Sequence, residues 1–341
     1  MYPYTLLVIT LSLIFGTLAT ISSHHWMLAW LGLEVNTLAI IPLMLKYPHP
    51  RTIEAATKYF LTQASASAMI LFSCTVNAWA HGEWTITPST KAIPTDLLTI
   101  AIMMKLGVAP FHFWMPDVLQ GLTLSTGLIL STWQKLPPVA LLLQFSQSTS
   151  MELLLSMGLL SATIGGWGGI NQTQIRKVLA YSSIAHLGWM AVVLKASPQL
   201  ALLNFLIYVV ITSTLFLTLI NINTKSMSEM MLSWSKAPPL TALSLLTLLS
   251  LGGLPPLTGF LPKWMITQEL IKQHLTLFAS AMLLSTLLSL FFYLRLSYIM
   301  ALTLAPNLSY SATSWPRHLK TMAAVPIALS LFMLPTYPLI M

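Results

Sequence analysis

The chain has 341 residues, of which 56% are hydrophobic and only 7% are charged. A soluble domain carries about 25% charged residues, so this composition excludes a large soluble part and indicates a polytopic membrane protein. The formal net charge of +8 does not indicate nucleic-acid binding, because the basic residues lie singly between apolar runs. A single cysteine, Cys74, excludes an intrachain disulfide and any metal cluster held by this chain's thiolates alone.

The N-terminus leads straight into an apolar segment. Met1 to Ile21 has no basic n-region and no Arg-rich amphipathic stretch, so it does not resemble a cleavable presequence. We therefore expect that the protein either inserts from its first helix or is made inside the compartment that uses it.

Apolar runs of spanning length predict an all-α integral membrane protein with a single domain over residues 1–341 and about eleven transmembrane helices. Connections are short, and the sizeable ones lie near 80–94, 222–238 and 304–320. The predicted spans are 3–21, 25–45, 57–79, 95–119, 123–145, 151–170, 175–194, 199–221, 239–270, 275–303 and 321–340.

Loop charges predict the orientation of these spans. Basic residues are concentrated in cytoplasmic or matrix loops of membrane proteins, and the side that carries the N-terminus is the richer one here. We therefore expect the N-terminus in the matrix or cytoplasm and the C-terminus outside. The N-terminal side holds Lys46, Arg51, Lys58, Arg176, Lys177, Lys225, Lys236, Arg317 and Lys320, whereas the other side holds Lys91, Lys195 and Lys272.

Two spans carry the same helix-breaking pattern. The fourth contains Gly107, Pro110 and Pro116, and the ninth contains Gly253, Pro256 and Pro262, both spaced G-x2-P-x5-P. Proline removes a backbone hydrogen bond and clashes with the preceding turn, so each span is predicted to unwind at mid-membrane.

The two broken spans are five helices apart, which places a second copy of a five-helix unit upside down in the membrane. We therefore predict two inverted five-helix repeats, about 1–146 and 151–303, each with a discontinuous helix, and one C-terminal helix at 321–340. Inverted repeats with paired discontinuous helices are typical of ion-coupled membrane proteins. Independent proline kinks are the alternative.

Four ionisable residues lie near the middle of predicted spans: Glu34, Lys105, Lys135 and Lys263. A charge at bilayer depth costs at least about 3 kcal/mol, so such residues usually face a polar interior. Burial disfavours the charged form of a lysine, whereas a nearby carboxylate favours it. A Glu34–Lys105 contact that forms and breaks would therefore load and release a proton, which Lys135 and Lys263 would pass on through water.

Structural roles remain the alternative for each of these residues. Lys263 fits a lysine whose long side chain reaches the membrane interface, and Lys135 fits a simple structural role. Glu34 and Lys105 fit a static ion pair that fixes helix packing.

Other ionisable residues are weaker candidates. His186 lies mid-helix in the seventh span, and the pattern favours a proton relay and a packing histidine about equally. His112 lies inside the break of the fourth span, where we expect it to face a polar cavity. Asp117 occupies the position that matches Lys263 in the repeat and fits a surface cap. His24 and His25 lie at a helix edge and are expected at the interface.

Cofactor motifs do not stand out in the chain. The glycine run from Gly165 to Gly169 follows no strand and predicts close helix packing instead of dinucleotide binding. The sequence has no phosphate loop and no histidine pair spaced for a transmembrane haem.

Several segments resemble the antiporter-like membrane subunits of NADH:ubiquinone oxidoreductase, respiratory complex I. These segments are Trp30-Leu-Gly-Leu-Glu-Val-Asn36, Lys58-Tyr-Phe-Leu-Thr-Gln63, Lys105-Leu-Gly-Val-Ala-Pro-Phe-His-Phe-Trp114, Asn171-Gln-Thr-Gln-Ile-Arg-Lys-Val-Leu-Ala-Tyr-Ser-Ser-Ile-Ala-His186 and Gly252-Gly-Leu-Pro-Pro-Leu-Thr-Gly-Phe-Leu-Pro-Lys-Trp264.

The resemblance implies a proton-translocating subunit of the membrane arm, in which Glu34, Lys105, Lys135 and Lys263 form the proton path. It implies that NADH, FMN, Fe–S clusters and ubiquinone are bound by partner subunits and that this chain binds no cofactor. Neighbouring antiporter-like subunits and membrane lipids are the implied partners, in the mitochondrial inner membrane, with the C-terminus in the intermembrane space. The wider family has fourteen helices, so the eleven predicted here imply a lateral face covered by neighbours.

Two other functions remain open from the residues alone. One is a cation/proton antiporter subunit driven by an ion gradient, and the other is a structural subunit whose charges transmit electrostatic strain without conducting protons.

Overall fold

The structure, a computed structural model, describes residues 3–86 and 92–302, together with Ala328 and Ser330. Within these ranges the regular elements are helices, joined at two places by isolated β-bridges. In chain order they are α1 (Pro3–Ser22), α2 (Trp26–Met44), α3 (Pro50–His81), α4 (Ala92–Leu106), α5 (Trp114–Gly121), α6 (Leu124–Ser131), α7 (Leu136–Gln144), α8 (Met151–Ile170), α9 (Ile175–Val193), α10 (Pro198–Ile222), α11 (Met227–Met231), α12 (Ser233–Lys236), α13 (Pro238–Gly252), α14 (Phe260–Lys272) and α15 (Thr276–Leu302).

Six helices of the described ranges are long and apolar enough to cross a membrane: α1, α2, α3, α8, α10 and α15. Three predicted spans each consist of two shorter helices: α4 and α5 form the fourth, α6 and α7 the fifth, and α13 and α14 the ninth. The seventh predicted span is α9. The predicted final helix at 321–340 lies outside the described residues, and the count of eleven stays a prediction.

The third span begins earlier than predicted, at Pro50 and not at 57. His49 caps the helix through its ring, Thr52 bonds back to the His49 backbone, and Pro50 occupies the first helical turn. These are strong start signals. Arg51, which precedes the predicted span, therefore lies in the first turn of α3, and Lys58, at the start of the predicted span, lies further along that helix.

Both predicted breaks are present, and both open at a glycine. α4 ends before Gly107 and α13 ends before Gly253, and these glycines have φ angles of 77° and 83°. Such left-handed backbone is strained for other residues. Pro116 and Pro262 lie within the first turns of α5 and α14, where a missing backbone N–H costs nothing. In each break the unwound backbone therefore runs from the glycine to the start of the next helix, which is α5 in the fourth span and α14 in the ninth. That helix begins before the second proline of the pattern.

The fifth span was predicted as one helix over 123–145, and this prediction is wrong. α6 ends at Ser131, a short 3-10 helix covers Trp133–Lys135, and α7 begins at Leu136. Pro137 and Pro138 have no backbone N–H to donate to the carbonyls one turn earlier, so the α-helical hydrogen bonds cannot continue across this point. Lys135 consequently lies at a break and not midway along a helix.

Corresponding places in the two proposed repeats carry corresponding contacts. His25, which precedes α2, forms a β-bridge with Thr85 after α3, and Gln174, which precedes α9, forms one with Ser226 after α10. The two bridges agree with a repeat in which the second and third predicted spans (α2 and α3) correspond to the seventh and eighth (α9 and α10). The inverted-repeat layout itself stays a prediction. The predicted close packing at the glycine run is confirmed, because a Cβ on Gly165 would contact the Ala185 backbone and one on Gly169 would contact Phe292.

Candidate functional site

Two of the predicted lysines share a small cavity, called here the first cavity. Lys105, at the end of α4, and Lys135, in the break of the fifth span, are 5% and 3% exposed, and both line it. The cavity has room for about one water molecule. Asn36, Gln63 and Gln134 also line it, so the two lysines share a small space whose wall includes further polar side chains.

Lys105 is held through its backbone and not through its charge. The Gln63 side-chain amide of α3 donates to the Lys105 carbonyl oxygen at 3.4 Å. The Lys105 Nζ atom is buried and has no hydrogen-bond partner among the described residues. An unpaired buried ammonium is costly, so this nitrogen retains its full capacity to donate hydrogen bonds to a partner.

Glu34 and Lys105 do not form the predicted contact in this structure. The described residues hold no ion pair between them, and Glu34 Oε2 is buried without a hydrogen-bond partner among those residues. The structure therefore shows the pair in its separated form.

Lys135 has a partner that the sequence analysis did not identify. Its Nζ donates a 3.0 Å hydrogen bond to the hydroxyl oxygen of Tyr208 on α10, and that hydroxyl donates at 3.1 Å to the Ser131 carbonyl oxygen. The Ser131 carbonyl would accept from the Lys135 amide in a continuous helix, but that amide bonds to Thr132 instead. The break in the fifth span thus frees the carbonyl that positions Tyr208.

Lys263, in the first turn of α14, reaches back across the break of the ninth span. Its Nζ donates to the Gly252 carbonyl oxygen at 3.0 Å, and the side chain is 9% exposed. A Cβ added to Gly253 would lie 2.9 Å from this Nζ. Gly253 is therefore required both for its left-handed backbone and for the space that the ammonium occupies.

Lys263 and His186 line a second cavity, again with room for about one water molecule. Tyr293, Ser285 and Ser289 contribute hydroxyl groups to its wall. The His186 ring lies 5.7 Å from the Tyr208 ring, centroid to centroid. Tyr208 therefore contacts Lys135 of the first cavity and lies beside His186 of the second.

The other candidate residues lie outside these two cavities. His112 is 4% exposed, and its Nδ1 lies 3.3 Å from the Pro110 carbonyl oxygen, so it is bonded inside the break. Asp117 is exposed and pairs with Lys58 at 2.9 Å, and Lys58 also pairs with Glu54 at 2.8 Å. Asp117 is thus an exposed ion-pair partner, unlike the buried Lys263 at the matching position.

The remaining histidine prediction concerns the helix edge. The His25 ring caps the Met27 amide at 3.2 Å and stacks on Trp84 at 6.0 Å. His24 and His25 immediately precede α2 and lie away from both cavities. Within the described residues no group of three histidine, cysteine or acidic side chains is placed to hold a metal ion.

Tyr208 is the main residue that sequence reasoning missed. A tyrosine in an apolar helix resembles a packing or interfacial residue, and the chain has ten tyrosines. The available signal was its depth, because Tyr208 lies near the middle of α10 whereas membrane tyrosines are enriched at interfaces.

Two family models together match almost the whole chain. Residues 23–289 match "NADH:quinone oxidoreductase/Mrp antiporter, TM", and residues 290–341 match "NADH dehydrogenase subunit 2 C-terminus". Among solved structures, a chain of respiratory complex I from Thermus thermophilus with bound aureothin superposes with a TM-score of 0.83 at 28% identity, over 96% of this chain and 78% of that one. A chain of the Mrp complex from Dietzia shares the fold alone, with a TM-score of 0.78 at 16% identity, over 87% of this chain and 60% of that one.

Curated relatives match over essentially their full length. The NADH-ubiquinone oxidoreductase chain 2 of Xenopus laevis is 58% identical and that of Carassius auratus is 55% identical; the alignments cover 99% and 100% of this chain and 99% of each relative. Identity of this size over the full length shows common family membership. The chain belongs to the NADH-ubiquinone oxidoreductase chain 2 family, whose members have the antiporter-like membrane fold.

Proposed function

We propose that this chain is a proton-translocating subunit of the membrane arm of mitochondrial respiratory complex I. Its relatives from animals carry the name of chain 2 of NADH-ubiquinone oxidoreductase. The observation that carries the proposal is the pairing of buried lysines with water-sized cavities: Lys105 and Lys135 share one cavity, and Lys263 shares the other with His186.

The chemistry of the path follows from charge and burial. A lysine in an apolar core binds a proton weakly unless a negative charge lies close by. Approach of Glu34 would hold the proton on Lys105, and separation would favour its transfer across the first cavity to Lys135. Lys263 and His186 continue the path in the second cavity. The separated Glu34 and Lys105 of this structure correspond to the releasing state.

The energy for this movement must come from outside the chain. Moving one proton against the membrane potential requires about 2.3 kcal/mol per 100 mV. We propose that NADH, FMN, Fe–S clusters and ubiquinone belong to partner subunits and that their redox reaction acts on this chain through subunit contacts. Neighbouring antiporter-like subunits and lipids would cover its lateral faces in the inner membrane, with the N-terminus in the matrix and the C-terminus in the intermembrane space.

The competing functions predict different dependences. A gradient-driven cation/proton antiporter would move protons without NADH oxidation. A non-conducting subunit of the arm would keep the number of protons moved per NADH when its lysines are replaced.

The test replaces Lys135 by methionine in the assembled complex, in sealed inner-membrane vesicles. Lys135→Met keeps a long side chain and removes the charge and the proton site. Protons moved per NADH oxidised are expected to fall, with assembly on a native gel retained. Lys272→Met is the matched control, because Lys272 is exposed and, among the described residues, pairs with Glu269 on the same helix at 3.3 Å. An unchanged ratio in an assembled Lys135→Met complex would contradict the proposal.

A further inference from the structure

Tyr208 contacts one residue from the wall of each cavity. It is 3% exposed, and its hydroxyl oxygen accepts a hydrogen bond from Lys135, which lines the first cavity. Its ring lies beside that of His186, which lines the second cavity. Lys135 is thus connected to the second cavity by a buried tyrosine that contacts a residue of each.

Two hydrogen bonds help to place the hydroxyl. It receives one hydrogen bond from the Lys135 ammonium at 3.0 Å and donates its own proton to the Ser131 carbonyl oxygen at 3.1 Å. A side chain that served packing alone would not need a carbonyl freed by a helix break. The same break places Lys135 and releases the acceptor of Tyr208, so the local backbone supports both residues together.

We propose that Tyr208 relays the proton between Lys135 and His186, and this inference rests on the proposed function. The ammonium of Lys135 gives a proton to the phenol oxygen while the phenol gives its own proton to His186, once the hydroxyl turns from Ser131 toward the imidazole. Lys135 ends as a neutral amine, His186 as an imidazolium and the tyrosine unchanged. Lys263, in the cavity of His186, takes the proton next.

The hydrogen bond to Ser131 controls when this relay can operate. While the Tyr208 hydroxyl donates to Ser131, its proton is not available to His186, and the path between the cavities is closed. Transfer requires that the hydroxyl leave the carbonyl for the imidazole. This structure holds the closed arrangement, alongside the separated form of Glu34 and Lys105.

The test is Tyr208→Phe in the assembled complex, with protons moved per NADH as the readout. Phenylalanine keeps the ring against His186 and removes only the hydroxyl. If Tyr208 serves packing alone, Tyr208→Phe should leave the number of protons moved per NADH unchanged, and only Tyr208→Leu should lower it. The relay predicts that Phe and Leu lower the ratio equally, to the value measured for Lys135→Met. Tyr298→Phe is the control, because Tyr298 is an exposed tyrosine that lines neither cavity.

The outcomes separate this inference from the function beneath it. If Lys135→Met lowers the ratio and an assembled Tyr208→Phe complex does not, the relay is overturned and proton translocation by this chain stands. If neither variant lowers the ratio, the proposed function fails as well. A ratio lowered by Tyr208→Phe but not by Tyr298→Phe supports the relay.

Discussion

Lys263 and Gly252 lie on opposite sides of the break in the ninth span and are joined by a 3.0 Å hydrogen bond from the ammonium to the carbonyl oxygen. The unwound backbone thus supplies an acceptor that a continuous helix would have used internally. Irregular backbone at membrane depth persists where protein groups satisfy it, and here the satisfying group is one of the proposed proton carriers.

Gly253→Ala is expected to displace the Lys263 ammonium. The added Cβ would lie 2.9 Å from the Lys263 Nζ, and the alanine would have to adopt a φ of 83°. The variant therefore combines a steric clash with a left-handed backbone that costs about 1–2 kcal/mol. Protons moved per NADH are expected to fall in proteoliposomes containing the complex. Gly82→Ala is the control, because Gly82 has a φ of 75° with no atom within 4 Å of the added Cβ. Equal numbers of protons moved per NADH for the two variants would show that the position of the Lys263 ammonium does not affect proton movement.

The two buried histidine candidates are expected to differ in effect. His186 lines the cavity of Lys263, whereas His112 is bonded to the backbone of its own break and lines neither cavity. His186→Gln removes the titrating ring and should lower protons per NADH, whereas His112→Gln should leave that ratio unchanged. The measurement is the initial rate of vesicle acidification divided by the rate of NADH oxidation. A larger loss with His112→Gln would reverse this assignment.

The exposed ion pairs at the start of α3 are expected to be dispensable for proton movement. The side chains of Lys58, Glu54 and Asp117 are 42%, 62% and 48% exposed, and solvent-exposed pairs contribute less than about 1 kcal/mol. Lys58→Met should therefore change neither assembly, measured as complex abundance on a native gel, nor protons per NADH. A fall in the ratio with normal assembly would place this group on the proton path.

Helix breaks were predictable where glycine and proline occur together. Gly107 and Gly253 each end a half-helix with a left-handed backbone, and this preference is local to the residue. The break at Lys135 was missed because Pro137 and Pro138 alone fit equally well within the first turn of a new helix or in a kink. Only the packing of α10 against that segment, which brings Tyr208 to the Ser131 carbonyl, decides between them.

The site was predictable residue by residue but not as an arrangement. Lys105, Lys135 and Lys263 were recognisable because a charge in an apolar span is rare. Which lysines share a cavity depends on contacts between helices distant in sequence, such as Gln63 with Lys105. The Glu34–Lys105 separation is a property of one conformation, and a sequence does not encode which conformation is adopted at a given moment.

Glu34 and Lys105 are separated in this structure, and the most direct test of the account concerns Lys105. The measurement is the number of protons moved per NADH oxidised by a complex that carries Lys105→Met, in sealed vesicles. Lys105 has no hydrogen-bond partner at its ammonium among the described residues, so its removal should leave the native contacts of the fold intact. We predict normal assembly and a ratio lowered to that of Lys135→Met. An assembled Lys105→Met complex that moves as many protons per NADH as the unmodified one would contradict proton transfer through this chain.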